Sequence, residues 1–505
     1  DELLRAAERH KADPQNILIY QSKKIGAYLA NVAKMVPNPK SVIEAINRWD
    51  GEDWFPPIIS EWERLHKDFP TMELVDRYPN GADVVPLLWV LTQKYSAEGD
   101  PSRKKCRIVA AQTREKFPMN KEDLYSPTVN SEFVRLILAI SLECDCSIST
   151  FDVAGGFLTA EYDEEEFGPL YVKIPSNLEE VLKDRPDLIP RLPNGRIAKY
   201  AKVKRSLYGA RASPLIFYRR YRDFITKPES EGGPGFIQSK IDPCCFYKRG
   251  NQGDGTTNGI TQEPSMENMK HSFGLVSAHV DDALLSFSND QEGRRMRKDF
   301  EDKLFNEFNA SPEESSGDQI EYLSLLVQIN RERGSMTFKV PKLLIKLKQM
   351  LEEIKNCRGV HPKGGKLKYP LDPYSKDIFE ETSEDNPIVP YSEYDSRSIL
   401  GLAAYIVLHT RPDCAYAAAV CARFSGCRNT KKVTEAVNHL AWYLIDTAED
   451  HILTFWKTDA ISELNAFSDA SFANCPITRK SHYGYFMRYG ENIFGWRSKL
   501  QSIPA

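Results

Sequence analysis

Nowhere in the 505 residues does an apolar run approach about 18 positions, so the pattern excludes a helix that spans a membrane. The ten cysteines are scattered. Cys144-x-Cys146 and Cys244-Cys245 lack the paired downstream Cys or His that a zinc site requires, and reduced thiols are expected. A net charge of −4 and a pI near 6.2 exclude a chain that binds polyanions through overall basicity. No Walker-type phosphate loop is present, since Gly155-Gly156 reads only as a turn. No Ser/His/Asp or Cys/His set with suitable spacing stands out, and there is no internal repeat. The chain opens at Asp1 rather than Met and shows no signal-peptide pattern, which predicts a piece of a longer polypeptide. A hydrophobic share of 41% with 11% aromatics is enough for real cores, and the length predicts about three domains.

The most informative stretch is Leu275–Phe287, LVSAHVDDALLSF. Two apolar runs flank the adjacent carboxylates Asp281 and Asp282. The lengths predict two short strands joined at a tight turn. Asp-Asp is not a favoured hairpin turn, and two neighbouring like charges repel. A divalent cation would offset that cost, and magnesium binds one or two carboxylates together with substrate phosphates. The alternative is a solvated acidic turn. Upstream, Cys146–Val153 (CSISTFDV) reads as a strand that delivers Asp152, followed by Gly155-Gly156 and Phe157. Two-metal phosphoryl transfer needs carboxylates from separate elements, and Asp152 with Asp281 and Asp282 would supply them. Alone, Asp152 reads more readily as a strand-end or turn aspartate, and Phe157 reads equally as a core aromatic.

Charge is uneven along the chain. Arg196–Arg222 carries Arg196, Lys199, Lys202, Lys204, Arg205, Arg211, Arg219, Arg220 and Arg222 with no acid among them. Tyr200, Tyr208, Phe217, Tyr218 and Tyr221 are interleaved. Cations that track phosphates beside stacking aromatics predict a nucleic-acid groove, with binding that weakens in salt. A solvated helix face is the alternative. A second basic cluster lies at Arg103–Lys116, with Glu115 as its one acid.

Pro341–Lys355 places Leu343, Leu344, Leu347, Met350, Leu351 and Ile354 at helical spacing. Ser396–Leu408 and Val433–Thr447 read as amphipathic helices. Leu464–Ala470 reads as a strand carrying Asp469, with a hairpin at Tyr483–Arg488 and Ile493–Ser498. Gly359–Pro390 and the polar stretch Asn251–Ser272 read as loops. Asp1–Met35 is polar.

Together these motifs resemble the reverse transcriptase of copia-type LTR retrotransposons. FDVAGGFL, EYDEEEFGPLYVKIP, KRSLYGARASPLIFY, IDPCCFYKR and HVDD carry the resemblance in order. KCRIVAAQ and YSPTVNSEFVRLILAIS precede them, and AINRWDGEDWFPPIISEWERL opens the region. SRSILGLAAYIVLHTRPDCAYAA and AFSDASFAN follow. The likeness runs from about Pro37 to the end of the chain.

The resemblance implies an α+β right-hand polymerase with fingers, a palm built on an antiparallel sheet, and a thumb. A helical connecting region and a partial ribonuclease H-like α/β domain follow. The implied bounds are 1–36 for a tail after an integrase region, 37–330 for fingers and palm, and 331–358 for the start of the thumb. Residues 359–459 become the linker and connecting region, and 460–505 a truncated ribonuclease H-like domain. By the same resemblance Asp152, Asp281 and Asp282 are catalytic and hold two Mg2+ ions, with Mn2+ able to replace them and the Val153 carbonyl as a further ligand. Phe157 clashes with a ribose 2′-OH. Lys105 and Arg107 meet the triphosphate, with Arg103 and Lys104 as alternatives. Gly209 and Pro214 pack near the template base and nucleotide. Lys202, Lys204, Arg205 and Arg211 follow the nucleic-acid backbone. The implied partners are an RNA template, a DNA primer, dNTPs, and the integrase and capsid portions of one polyprotein. The implied location is a cytoplasmic virus-like particle, with later nuclear entry of the product.

Two departures stand out. His279 occupies a position where the family usually has an aromatic residue, and reads as packing. Leu323-Ser324 replaces the usual Leu-Gly of a primer-contacting hairpin, where serine is strained if φ is positive. Asp469 matches the first ribonuclease H carboxylate, but the family's second would lie past Ala505, so no ribonuclease H activity is expected. Three function classes follow: the polymerase, a degenerate remnant that only binds nucleic acid, and another two-metal enzyme such as a nuclease.

Overall fold

The structure, a computed structural model, describes residues 38–95, 101–112, 124–153, 155–250, 272–310, 318–354, 358–362, 365–371, 378–426, 428–458 and 462–502. The segment Asp1–Met35, nearly all of Asn251–Ser272, and Arg114, Glu115 and Lys116 of the second basic cluster lie outside them. The architecture is mixed α/β. The chain forms two units, Asp1–Met119 with Glu161–Ser213, and Asn120–Ala160 with Pro214–Ala505.

The first unit is built on a five-stranded sheet. It contains β1 (Met72–Val75), β2 (Asp83–Tyr95), β3 (Pro101–Ala110), β5 (Leu170–Lys173) and β6 (Tyr200–Val203), in the order β1-β6-β5-β2-β3. Only β2 and β5 run parallel, and the short helices α5 (Glu164–Phe167) and α6 (Leu178–Val181) flank β5 in sequence. Along β3 the side chains alternate, burying Cys106, Ile108 and Ala110 and leaving Lys105 and Arg107 on the other face. Helix α1 (Val42–Asn47) starts at Ser41, whose hydroxyl accepts from the Glu44 N–H. Helix α2 (Phe55–Glu63) buries Ile58 and Trp62, and the Trp62 indole donates to the Leu188 carbonyl at 2.8 Å. Val42, Ala45, Trp54, Ile58, Leu91, Cys106 and Val181 form a core there.

The second unit carries the sheet β4-β10-β9-β8-β7, made of β4 (Ser147–Asp152), β7 (Ile237–Gln238), β8 (Cys245–Arg249), β9 (Phe273–His279) and β10 (Asp282–Phe287). All its pairings are antiparallel. The run ALLSF in β10 has no polar alternation because the strand is covered on both faces. Leu284 joins Ile148 in one core. Ala283, Leu285 and Phe287 join Phe151, Val276 and Phe300 in another. Helix α8 (Gln291–Phe308) packs Met296, Phe300, Leu304 and Phe308 into that second core at four-residue spacing. Asp290 caps its start, accepting from the Gly293 N–H at 2.8 Å, and Asn309 ends it in the left-handed conformation.

Further along lie the sheet β11-β12-β13-β14 (Gln319–Tyr322, Leu325–Asn330, Ser335–Lys339, Leu453–Trp456) and the sheet β15-β16-β17 (Leu464–Ser471, His482–Tyr489, Asn492–Leu500). The long helices there are α9 (Pro341–Glu352), α10 (Ser396–Thr410), α11 (Ala415–Ser425) and α12 (Lys431–Asp446). Of the apolar residues expected on α9, Leu347 and Leu351 are buried, joined by Ile345. Helix α3 (Ser131–Glu143) is tied in through Arg135, which is 0% exposed. Its guanidinium donates to the carbonyls of Phe494 at 2.6 Å and Leu408 at 2.8 Å and lies 3.8 Å from the Trp496 ring centroid.

Leu323 and Ser324 form the two-residue turn between β11 and β12, with φ of 51° and 65°. Both sit in the left-handed region that costs L-residues about 1 kcal/mol or more each. The strain expected at Ser324 is therefore present. Ser324→Gly is expected to stabilise the protein by about 1 kcal/mol, measured as an upward shift of the urea midpoint at unchanged slope.

Candidate active site

The turn between β9 and β10 is formed by Val280 and Asp281, not by Asp281 and Asp282. Asp282 instead opens β10, opposite His279 on one side and Asp152 on the other. Directly opposed residues of an antiparallel pair have Cα atoms about 4.5–5.5 Å apart and point to the same face. Asp152 and Asp282 thus meet at the ends of neighbouring strands, and both are exposed. Asp281 is half-buried, and its carbonyl accepts from the Val153 N–H at 3.0 Å. Three carboxylates from two segments far apart in the sequence occupy one end of the sheet.

The local backbone explains why. Val280 has φ of 58°, an outlier for a β-branched residue. Such strain persists only where the surroundings enforce it, and it clusters at functional sites. Gly155 takes φ of 73° and starts the short helix α4 (Gly156–Thr159). At Gly156 a Cβ would stand 2.9 Å from the Phe217 ring and 3.3 Å from the Asp281 Cβ. The double glycine therefore has two separate causes, a left-handed residue and a close approach to Asp281. Phe157 is half-buried and lies edge-on to Phe217 at 5.8 Å. His279 is also half-buried, and burial lowers its imidazole pKa against the opposing charge of Asp281. Its Nδ1 has no hydrogen-bond partner among the described residues.

Among the described residues no group of three or more His, Cys, Asp or Glu is gathered closely enough to form a ready-made metal site. The chemistry of the donor set nevertheless fits a hard divalent cation, because Asp152, Asp281 and Asp282 offer only carboxylate oxygens. The Val153 carbonyl accepts from the Gly156 N–H at 2.8 Å, which leaves one lone pair. Pro214 lies in the first turn of α7 (Ser213–Thr226), and its carbonyl accepts from the Ser126 hydroxyl at 3.1 Å.

In the first unit, Arg107 lies 4.7 Å from the Tyr208 ring centroid, and Lys105 shares its strand face. Lys104, one alternative from the sequence, is held by Asp50 at 2.7 Å and Asp53 at 3.0 Å. Gly209 has φ of 82° and abuts the Ala110 carbonyl. The Arg211 N–H donates to Gln112, and Arg205 forms a β-bridge with Glu161.

The basic segment is less bare than its sequence. Lys202 pairs with Glu164 at 2.6 Å, and Lys204 lies 3.4 Å from Glu164 and 3.5 Å from Glu73. Arg196 pairs with Asp76, and Arg220 with Glu307. The interleaved aromatics also need correction. Phe217 and Tyr221 are buried, as is most of Tyr208. Phe217, Tyr221 and Ile225 follow the four-residue spacing of the core-facing side of α7. They pack the interior and offer no stacking surface.

One carboxylate escaped the sequence reading. Glu61, 6% exposed on α2, accepts from the Ile108 N–H at 3.2 Å behind Lys105 and Arg107. Its signal was a polar residue among the buried Ile58, Trp62 and Leu65. Burial raises its pKa, with the Ile108 bond and neighbouring cations opposing. A carboxyl raised in the folded state favours folding below its unfolded pKa of about 4.3, and that contribution is lost as pH rises through the folded value. Glu61→Gln should therefore flatten the fall in Tm over that rise, as thermal melts across a pH series would report.

Residues 69–236 match the family described as reverse transcriptase (RNA-dependent DNA polymerase). The chain is 26% identical over 477 residues to the Retrovirus-related Pol polyprotein from transposon TNT 1-94 of Nicotiana tabacum, covering 92% of this chain and 31% of the relative. It is 24% identical over 433 residues to the corresponding polyprotein from transposon RE1 of Arabidopsis thaliana, covering 85% of this chain and 25% of the relative. The Truncated transposon Ty1-A Gag-Pol polyprotein of Saccharomyces cerevisiae matches at 23% over 400 residues, covering 76% and 27%. The chain thus spans between a quarter and a third of the length of these relatives. The resemblance carried by the motifs holds: residues 69–236 match the reverse transcriptase family, and the chain is similar over most of its length to Pol polyproteins of copia-type transposons.

Proposed function

We propose that the chain is the RNA-directed DNA polymerase of a copia-type retrotransposon, joining nucleotides from dNTPs to a primer 3′-OH on an RNA or DNA template. The observation that carries this reading is the register that sets Asp152 opposite Asp282, with Asp281 on the adjoining turn. Here the first unit's sheet serves as fingers, the sheet with Asp152 and Asp282 as palm, and α9 as the start of the thumb. Helices α10 to α12 are the connecting region, and β15 to β17 the ribonuclease H-like part.

Asp152, Asp281, Asp282 and the Val153 carbonyl would hold two Mg2+ ions. When bound, such ions lower the pKa of the attacking hydroxyl and neutralise charge on the leaving pyrophosphate. The protein's own work is to fix geometry and charge, since phosphoryl transfer asks for little covalent chemistry. The Phe157 ring excludes a 2′-OH. Lys105 and Arg107 bind triphosphate oxygens, while Gly209 and Pro214 line the nucleotide and template base. Lys202, Lys204, Arg205 and Arg211 bind backbone phosphates, the first two by exchanging Glu73 and Glu164 for phosphate.

The strained Leu323-Ser324 turn favours a second reading, a degenerate remnant that binds nucleic acid without catalysis. Primer extension on an RNA template separates the two. Extension requiring Mg2+ and the matched dNTP supports the polymerase. Template binding without extension supports the remnant, and Mg2+-dependent cleavage without nucleotides would sink both.

A further inference from the structure

We propose that a cavity at the outer end of the β2–β3 hairpin binds single-stranded nucleic acid, seating one base against Trp49 and a flanking phosphate on Arg103. The cavity has a volume of about 320 Å3 and is lined by Arg48, Trp49, Trp54, Gln93, Arg103 and Lys104, with Asp50 and Asp53 at its wall. It involves none of the residues given a role above except Arg103 and Lys104, which the sequence offered only as alternatives.

Two observations identify the ligand class. Trp49 is 84% exposed, so a broad indole face stands in water beside cationic side chains. An aromatic platform next to phosphate-binding cations is how proteins hold single strands without reading their sequence. Trp54, by contrast, is 1% exposed and forms part of the wall. Lys104 fixes this wall. It pairs with Asp50 and Asp53 and lies 5.3 Å from the Trp54 ring centroid. Arg48 pairs with Asp50 at 3.1 Å. Both carboxylates are thereby neutralised from within, and the exposed Arg103 offers a guanidinium fork that suits a phosphate. Preferring a nucleic acid to a protein segment rests on the polymerase reading.

The test is fluorescence anisotropy with the full chain, using a labelled short oligouridylate and a blunt-ended hairpin duplex of the same label. Trp49→Ala is expected to weaken oligouridylate binding about tenfold and to leave duplex binding unchanged. Trp49→Phe should retain most of the affinity. Arg103→Gln should reduce the salt slope by about 0.7, the loss of one phosphate contact to a single strand. Thermal melts of each variant should match the parent, since both side chains are exposed. Oligouridylate affinity within a factor of about two of the parent in Trp49→Ala, or an equal loss on the duplex, overturns the proposal. Trp49-dependent binding in a chain that never extends a primer would remove the polymerase reading and leave this site standing. Full extension with no effect of Trp49→Ala would do the reverse.

Discussion

Asparagine at Asp152, Asp281 or Asp282 is expected to lower templated nucleotide incorporation by about a thousandfold or more, equivalent to about 4 kcal/mol of transition-state stabilisation. Asparagine keeps the shape of the side chain and removes its charge. The three positions lie at one end of a sheet whose interior, Ala283 to Phe287, is untouched by the change. Folding should therefore survive. Removing one of two opposed like charges should even raise the melting temperature slightly for Asp152→Asn and Asp282→Asn. Lost activity without lost stability is the signature of a site that bears catalytic charge. The pairing of single-turnover rates with thermal melts measures both.

Gly209→Ala should produce the largest effect outside the carboxylates. At φ of 82° alanine is strained before any contact is considered. Its Cβ would also stand 2.3 Å from the Ala110 carbonyl oxygen and 3.0 Å from a Val109 methyl. The backbone cannot easily retreat, because the Ala110 N–H donates to the Tyr208 carbonyl at 2.7 Å. Strain and displacement together should cost about 3 kcal/mol or more. Moving Tyr208 would also shift the ring beneath Arg107, so the KM for dNTP should rise as well. Hydrogen exchange should show faster opening of β3 amides, and Gly209→Ala with parental stability and KM would contradict this account.

Much of the second unit was legible because its signals are local. Strand β4 needs only a β-branched run, and the helices α10 and α12 need only apolar spacing; both helices fall within two residues of expectation. The hairpin strands β16 and β17 extend the expected ones by one or two residues at each end. The carboxylates were also visible, as charge that interrupts apolar sequence.

What stayed hidden depends on partners distant in the chain. The turn at Val280-Asp281 was missed because valine is a poor left-handed residue, and only the surrounding sheet holds it there. Glu164 and Glu73 neutralise Lys202 and Lys204 from other elements, so a segment without acids is still paired in space. Phe217 and Tyr221 looked like part of a stacking surface because their burial follows from the α7 face that they share. Gly156 read as a turn glycine. Its tight approach to Phe217 and Asp281 appears only once α7 and the β9–β10 turn have met.

The most direct test is single-nucleotide incorporation on an RNA template in Mg2+, run side by side for the parent chain and Asp152→Asn. Asp152 is the acid contributed from outside the β9–β10 hairpin. The account predicts addition of the template-matched nucleotide by the parent and none within the same time by the variant. Undiminished addition by a folded Asp152→Asn chain would contradict it.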